Sequence, residues 1–172
     1  MTASVGENVG VIELGYSLSN RFPDPPQTDY RTAPVRALRH DLFCGDVYLD
    51  ADGAEFSTNW SWVPVLDFAW ALCDTVEELD RDPRGSRSAL VQTYDLDFTQ
   101  NTELLRFARR FGLVEVSATW LPEEPPAVVR HEDLRREARD FLQDVLADLF
   151  DLHEGLADNP NIWTVQGRFP RI

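Results

Sequence analysis

Between His131 and Glu154 apolar side chains return every three or four positions, the spacing that lays one stripe along a helix. Leu134, Ala138, Phe141, Leu142, Val145, Leu146, Leu149 and Leu152 share that arc, and Asp140, Asp144, Asp148 and Asp151 share another. Glu132 and Asp133 suit the first turn, where negative charge meets the positive end of the helix dipole, and Gly155 suits the stop. At about 1.5 Å per residue such a helix is roughly 36 Å long, enough to cross a small domain. A second helix is expected over Val63–Leu79, apolar around most of its circumference and centred on Leu66, Ala69, Trp70, Cys73 and Val76. A helix of that kind is buried on more than one side.

Elsewhere the period shortens to two. Ile12, Leu14, Tyr16 and Leu18 alternate with Glu13, Gly15 and Ser17, which predicts a half-buried strand over Val9–Leu18. The proline-rich run from Phe22 to Gln27 interrupts it, and Pro34–Phe43 predicts a short helix turning Val35, Leu38 and Leu42 inward. Val47–Ala51 and Ala54–Thr58 flank Asp52-Gly53, a type I′ hairpin signature. After an exposed, mobile loop expected over Asp80–Ser88, another strand is expected around Leu90–Phe98. Glu103–Phe111 fits either a helix or a strand. The strand is favoured, because Val114, Val116, Ala118 and Trp120 then supply its hairpin partner across Phe111-Gly112. Pro122–Pro126 breaks the sheet, and Ile162–Gln166 is read as a short edge strand. The expected fold is α+β: an antiparallel sheet packed against two principal helices, one domain over residues 1–172.

Charge narrows the partners. Thirty acids against 16 bases give a formal net charge of −14. All of the bases are arginine, a bias that fits a GC-rich coding sequence. Such acidity argues against nucleic acid, whose binding draws most of its affinity from basic groups on phosphate, and against an anionic membrane surface. It suits a basic protein partner. No apolar run reaches the 18 residues a membrane-spanning helix needs, and the first ten residues lack the pattern of a signal peptide. Cys44 and Cys73 sit in apolar contexts and form no CxxC pair, which points to reduced core thiols in a cytoplasmic protein.

Chemical motifs are scarce. Asp46, Asp50 and Asp52 before Gly53 suggest calcium, but the EF-hand template would place Tyr48 first and Asn59 twelfth. Three histidines each precede an acid (His40-Asp41, His131-Glu132, His153-Glu154), without metal-ligand spacing, and read as surface or boundary residues. Gly15-Tyr16-Ser17-Leu18-Ser19 lacks the last glycine of a nucleophile elbow. No catalytic residue, metal ligand or cofactor is assigned. Trp60, Trp62 and Trp70 are core and boundary packing or, alternatively, the lining of a small-molecule pocket between sheet and helix. Arg106, Arg109 and Arg110 form a local basic patch expected to pair with acids of the same chain.

The sharpest feature is the acidic arc. Asp144, Asp148 and Asp151 have no base three or four positions away, and only Asp140 has one, Arg136. Each like-charge pair at that spacing costs about 0.2–0.5 kcal/mol. The residues from Asp140 to Glu154 are therefore the expected partner-binding surface: Asp140, Asp144, Asp148, Asp151 and Glu154.

The run GDVYLDADGAEFSTNWSWVPVLDFAWALCDTVEEL (Gly45–Leu79), with the Ser88–Phe98 strand and the LVEVSATW strand, resembles small acidic proteins of actinobacteria with no assigned activity. Its layout of hairpin, helix and further strands is also similar to immunity proteins of bacterial polymorphic toxin systems, which bind and neutralise a cognate toxin. The resemblance implies an α+β fold and a protein partner, and carries over no catalytic residue. The resulting expectation is a non-enzymatic immunity-type protein that masks a basic toxin. A small-molecule domain or enzyme and a homo-oligomer subunit are the alternatives.

Overall fold

The sequence places α1 between two groups of strands, and that order decides the architecture. In the computed structural model, which describes residues 10–81, 92–97 and 103–163, the first group is β1 (Ile12–Leu18), β2 (Cys44–Ala51), β3 (Ala54–Glu55) and β4 (Val63–Pro64). Then come α1 (Val65–Arg81), the strands β5 (Gln92–Leu96), β6 (Leu105–Arg110), β7 (Leu113–Ala118) and β8 (Ala127–Arg130), and α2 (His131–Leu152). The fold is α+β, with two four-stranded antiparallel sheets where the sequence reading has one. Strands pair with their sequence neighbours, for which loop closure costs least, so α1 separates the pairing into two sets. In the first sheet β1 and β3 flank β2, and β4 pairs with the start of β2. The second runs β5-β6-β7-β8. A parallel bridge between Gly10 and Val129 joins them.

Local chemistry explains the turns. Asp52 and Gly53 both have positive φ (55° and 79°), as a type I′ turn requires, and the Asp50 carboxylate accepts a hydrogen bond from the Gly53 N–H at 3.0 Å. Hydrogen bonds Phe56 N to Leu49 O and Thr58 N to Val47 O carry the hairpin past β3. Glu103–Phe111 resolves as strand from Leu105, turning through Phe111 (φ 55°) into β7, as favoured.

Several expectations are corrected. The helix expected at Pro34–Phe43 narrows to a π-helical turn, Ala37–Asp41, after a helical start at Val35 and Arg36. Leu38 within it and Leu42 just after it are buried, whereas Val35, ahead of the turn, is 43% exposed. Ala127–Arg130 is a strand with no counterpart in the sequence reading; four residues are too few to show a period. Trp120 lies beyond the end of β7, in a turn. Ile162 and Trp163 belong to a helical turn rather than an edge strand, with Ile162 N–H donating to Asn159 O. The rest of that proposed strand and most of the Asp80–Ser88 loop lie outside the described residues.

The core is shared by both sheets and both helices. Leu134, Ala138, Phe141, Leu142, Val145, Leu146 and Leu149 of α2 are all buried. Phe141 stands edge-on to Phe68 of α1 and to Tyr16 of β1, with ring centroids 5.9 and 6.1 Å away. The Cys73 thiol donates to Ala138 O at 3.2 Å, and the Glu137 carboxylate accepts the Leu14 N–H at 3.2 Å. Two buried polar side chains are firmly held. Asp67 accepts a 2.5 Å hydrogen bond from Arg39 Nε, and Asn159 donates to Tyr30 O and Ala33 O at 2.8 and 2.9 Å. Helix α2 ends at Leu152, two positions before the expected stop, and Gly155 (φ 84°) turns the chain into a short 3-10 turn, Leu156–Asp158. That early stop leaves Leu152, expected on the buried arc, 62% exposed.

Leu142 and Leu152 therefore separate two roles on one stripe. Leu142→Ala is expected to lower unfolding free energy by about 2–5 kcal/mol and Leu152→Ala by about 0.5 kcal/mol or less, measured by urea denaturation.

Candidate functional site: an acidic ridge beside an open strand

The apolar arc of α2 is pinned by Phe141, Glu137 and Ala138 to β1 and α1, so the opposite arc must face water. Asp140, Asp144, Asp148 and Asp151 are exposed there, and Glu154, expected on the same helix, is exposed just past its end at Leu152. Among the described residues none of the five forms an ion pair. The last turn of α2 holds no base, so Asp151 sits unopposed at the negative end of the dipole.

The guanidinium groups that would offset the ridge are engaged elsewhere. Arg106 forks onto Asp95 of the neighbouring strand at 2.7 and 3.0 Å, as expected for that patch. That contact holds the Asp95 carboxyl below its ordinary range. Arg109 donates to Leu79 O and lies 3.8 Å from Asp80. Arg110 covers the Phe111 ring. On α2 itself, Arg135 reaches Asp80 and Arg136 reaches Asp133.

One ridge carboxylate touches the first sheet. The Tyr16 hydroxyl donates to Asp148 Oδ2 at 2.9 Å. Burial, and then this carboxylate, push the phenol well above the usual tyrosine range, so it stays a donor. Around that contact Tyr16, Ser17, Leu18, Asp148, Asp151 and Leu152 line an open groove of about 450 Å³. The groove was not legible in the sequence, because it needs the pairing of two segments over 130 positions apart. Asp148, Asp151 and Leu152 were visible in the sequence as two acids and an apolar residue, but not their meeting with β1.

Next to the groove, and sharing Leu18 with it, is a smaller recess of about 290 Å³. Phe22, Tyr30 and Phe43 give it aromatic walls, and Asp24, Cys44 and His153 add polar groups. Asp24 fixes the wall: its carboxylate accepts the Phe43 N–H at 2.8 Å and the Tyr30 hydroxyl at 3.0 Å. Burial and that carboxylate lift Tyr30 to about 12. Burial also raises the Cys44 thiol, which keeps it protonated rather than a nucleophilic thiolate. Cys44 is thus half-buried at a recess, whereas Cys73 is a core thiol as read from sequence.

His153 packs against Tyr30 and Phe43, with centroids 4.3 and 5.2 Å away. Burial lowers its pKa, so it is a neutral wall residue. His131, read as a boundary residue, is only 4% exposed at the start of α2.

Trp60 stacks on Trp62 (5.4 Å, 18°) and meets Trp120 edge-on at 5.2 Å. Trp70 lies on α1 under the Arg39 guanidinium, 5.5 Å from the ring centre. The groove and the recess are lined by other residues. Asp46 and Asp50 at the hairpin serve local hydrogen bonds. Asp46 accepts from Ser61 N–H at 2.9 Å and Thr58 hydroxyl at 3.2 Å.

No protein-family model, curated protein or solved structure matches the chain. Its function must be read from its own surface. Among the described residues no helix is long and apolar enough to cross a membrane, and no group of three or more His, Cys, Asp or Glu could hold a metal ion.

The buried imidazole gives a pH signature. As pH falls through about 6.5 the unfolded chain binds a proton at His153 that the folded chain resists, so folding stability falls with pH in that window. His153→Gln is expected to show a shallower loss of stability than the parent between about pH 7 and about pH 5.5, read from urea midpoints.

Proposed function

We propose that this chain is a non-enzymatic binding protein of the immunity type, which covers a basic protein with the ridge from Asp140 to Glu154. The observation that carries this reading is the row of five exposed carboxylates with no ion pair among the described residues, four on a helix whose last turn holds no base and Glu154 just past its end. Neighbouring like charges along that row cost the free protein stability, on the order of 1 kcal/mol in total at low salt. A cationic surface would remove the cost and gain the attraction. Complementary charge also speeds encounter and rejects acidic competitors. A cognate toxin, whose basic surface the ridge would occlude, is the partner this reading favours, in a cytoplasmic setting. The net charge of −14 keeps nucleic acid and anionic membranes off the same face.

The recess favours a second reading, a domain that binds a small molecule. Its aromatic walls and few polar groups have the make-up of a ligand site. Phe22, Tyr30, Phe43 and His153 support it here, beside the lining by Trp60, Trp62 and Trp70 that the sequence suggests. Native mass spectrometry of the purified protein decides it: a stoichiometric adduct below 300 Da is expected on this reading, roughly the size such a volume admits.

Replacing Asp144, Asp148 and Asp151 together by asparagine tests the leading proposal. The triple variant is expected to keep the fold, with stability unchanged or raised by about 1 kcal/mol. In pull-downs from the producing cell, a basic partner retained by the parent at low salt is expected to be lost from the variant, and from the parent at high salt. Equal retention by the variant at low salt contradicts this surface.

A further inference from the structure

The backbone of β1 is satisfied on one side only. Its odd-numbered residues face β2: Ser19 N–H donates to Cys44 O at 2.8 Å, and Val11 O accepts from Asp52 N–H at 2.9 Å. The even-numbered residues therefore point their N–H and C=O groups out of the opposite edge. That edge is covered in steps. Gly10 bridges to Val129 of β8, and Leu14 N–H is taken by the Glu137 carboxylate at 3.2 Å. At Tyr16 and Leu18 the cover stops, and among the described residues no strand pairs there. The groove opens at that point, with β1 on one wall and Asp148, Asp151 and Leu152 of α2 on the other.

A strand edge left open in this way is a template for one more strand. What could lie along it is set by the far wall. Two carboxylates and the rest of the ridge reject acidic segments and attract cationic ones, while the exposed Leu152 offers an apolar contact. Side chains of an added strand alternate in direction, so a segment alternating basic and apolar residues would turn one kind toward Asp148 and Asp151. The apolar recess, which shares Leu18, continues the same path.

We propose that the partner docks by strand addition: an extended, basic segment pairs with the open edge of β1 at Tyr16 and Leu18 and sets an arginine or lysine against Asp148 and Asp151. This rests on the ridge being the site of a basic partner. It adds how the partner's backbone is held. Main-chain hydrogen bonds supply the affinity in this mode and the groove carboxylates supply the selectivity.

The probe is a seven-residue peptide alternating arginine and valine, compared with the same sequence N-methylated at alternate residues, which cannot complete a strand ladder. Hydrogen exchange of the Tyr16 and Leu18 amides is read by NMR on the intact protein at low salt. At saturating peptide their exchange is expected to slow at least tenfold, with Leu14, already bonded to Glu137, little changed. The N-methylated peptide is expected to bind at least tenfold more weakly. Equal affinity of the two peptides, or binding that shifts Asp144, Asp148 and Asp151 while Tyr16 and Leu18 exchange as before, overturns strand addition and leaves the ridge as a cation-binding face. Binding of neither peptide overturns both.

Discussion

Which face of α2 meets water follows from how one of its rings is buried. Phe141 is wedged edge-on between Tyr16 of the first sheet and Phe68 of α1. Edge-on aromatic contacts fix orientation as well as distance, and each adds about 0.5–1.5 kcal/mol beyond the area buried. With the Glu137 carboxylate on the Leu14 amide and the Cys73 thiol on the Ala138 carbonyl, Phe141 sets the rotation of α2 about its own axis. Once that rotation is set, the period of the helix leaves no freedom over which carboxylates meet solvent. The ridge is thus a consequence of core packing. Its charge is a separate choice, and an unfavourable one for the free protein.

That choice stands out against the treatment of charge elsewhere in the fold. Asp67, buried in α1, is met by Arg39. Asp95 is met by a two-pronged Arg106, Asp24 accepts from two donors and Asp46 from three. The chain neutralises acids where they would otherwise disturb its own structure. From Asp140 to Glu154 it leaves five in water with a single hydrogen bond from Tyr16. A surface pair is worth little in folding, so their absence here costs little too. In association the same charges act together, at distances set by the screening length of the solution, which gives a row of them reach that a lone aspartate lacks.

Long periodic stretches were legible in the sequence. The eight-residue apolar arc of α2 gave its position, its inner face and its outer charges, and Asp52-Gly53 gave the hairpin down to the two positive φ angles. What stayed hidden was short or non-local. β8 is four residues after a proline run, and the turn at Ala37–Asp41 is π-helical, a geometry with no period of its own at five residues. The division into two sheets depends on α1 acting as a spacer, which a list of strands does not show. The aromatic surroundings of His153 were equally hidden, because only the fold brings Tyr30 and Phe43 around it. The groove is the clearest case. Asp148 and Asp151 were visible as acids, but their pairing with an unfinished strand edge at Tyr16 and Leu18 arises from the packing of α2 on β1.

The central claim is that these carboxylates act as a charged unit toward a partner. Its most direct test is the salt dependence of binding, with the purified partner titrated by calorimetry over a range of ionic strengths. The account predicts that the logarithm of the affinity falls with the logarithm of salt for the parent protein. It also predicts a clearly shallower slope once Asp144, Asp148 and Asp151 carry no charge. Parallel slopes for the two proteins would place the attraction elsewhere on the molecule and contradict it.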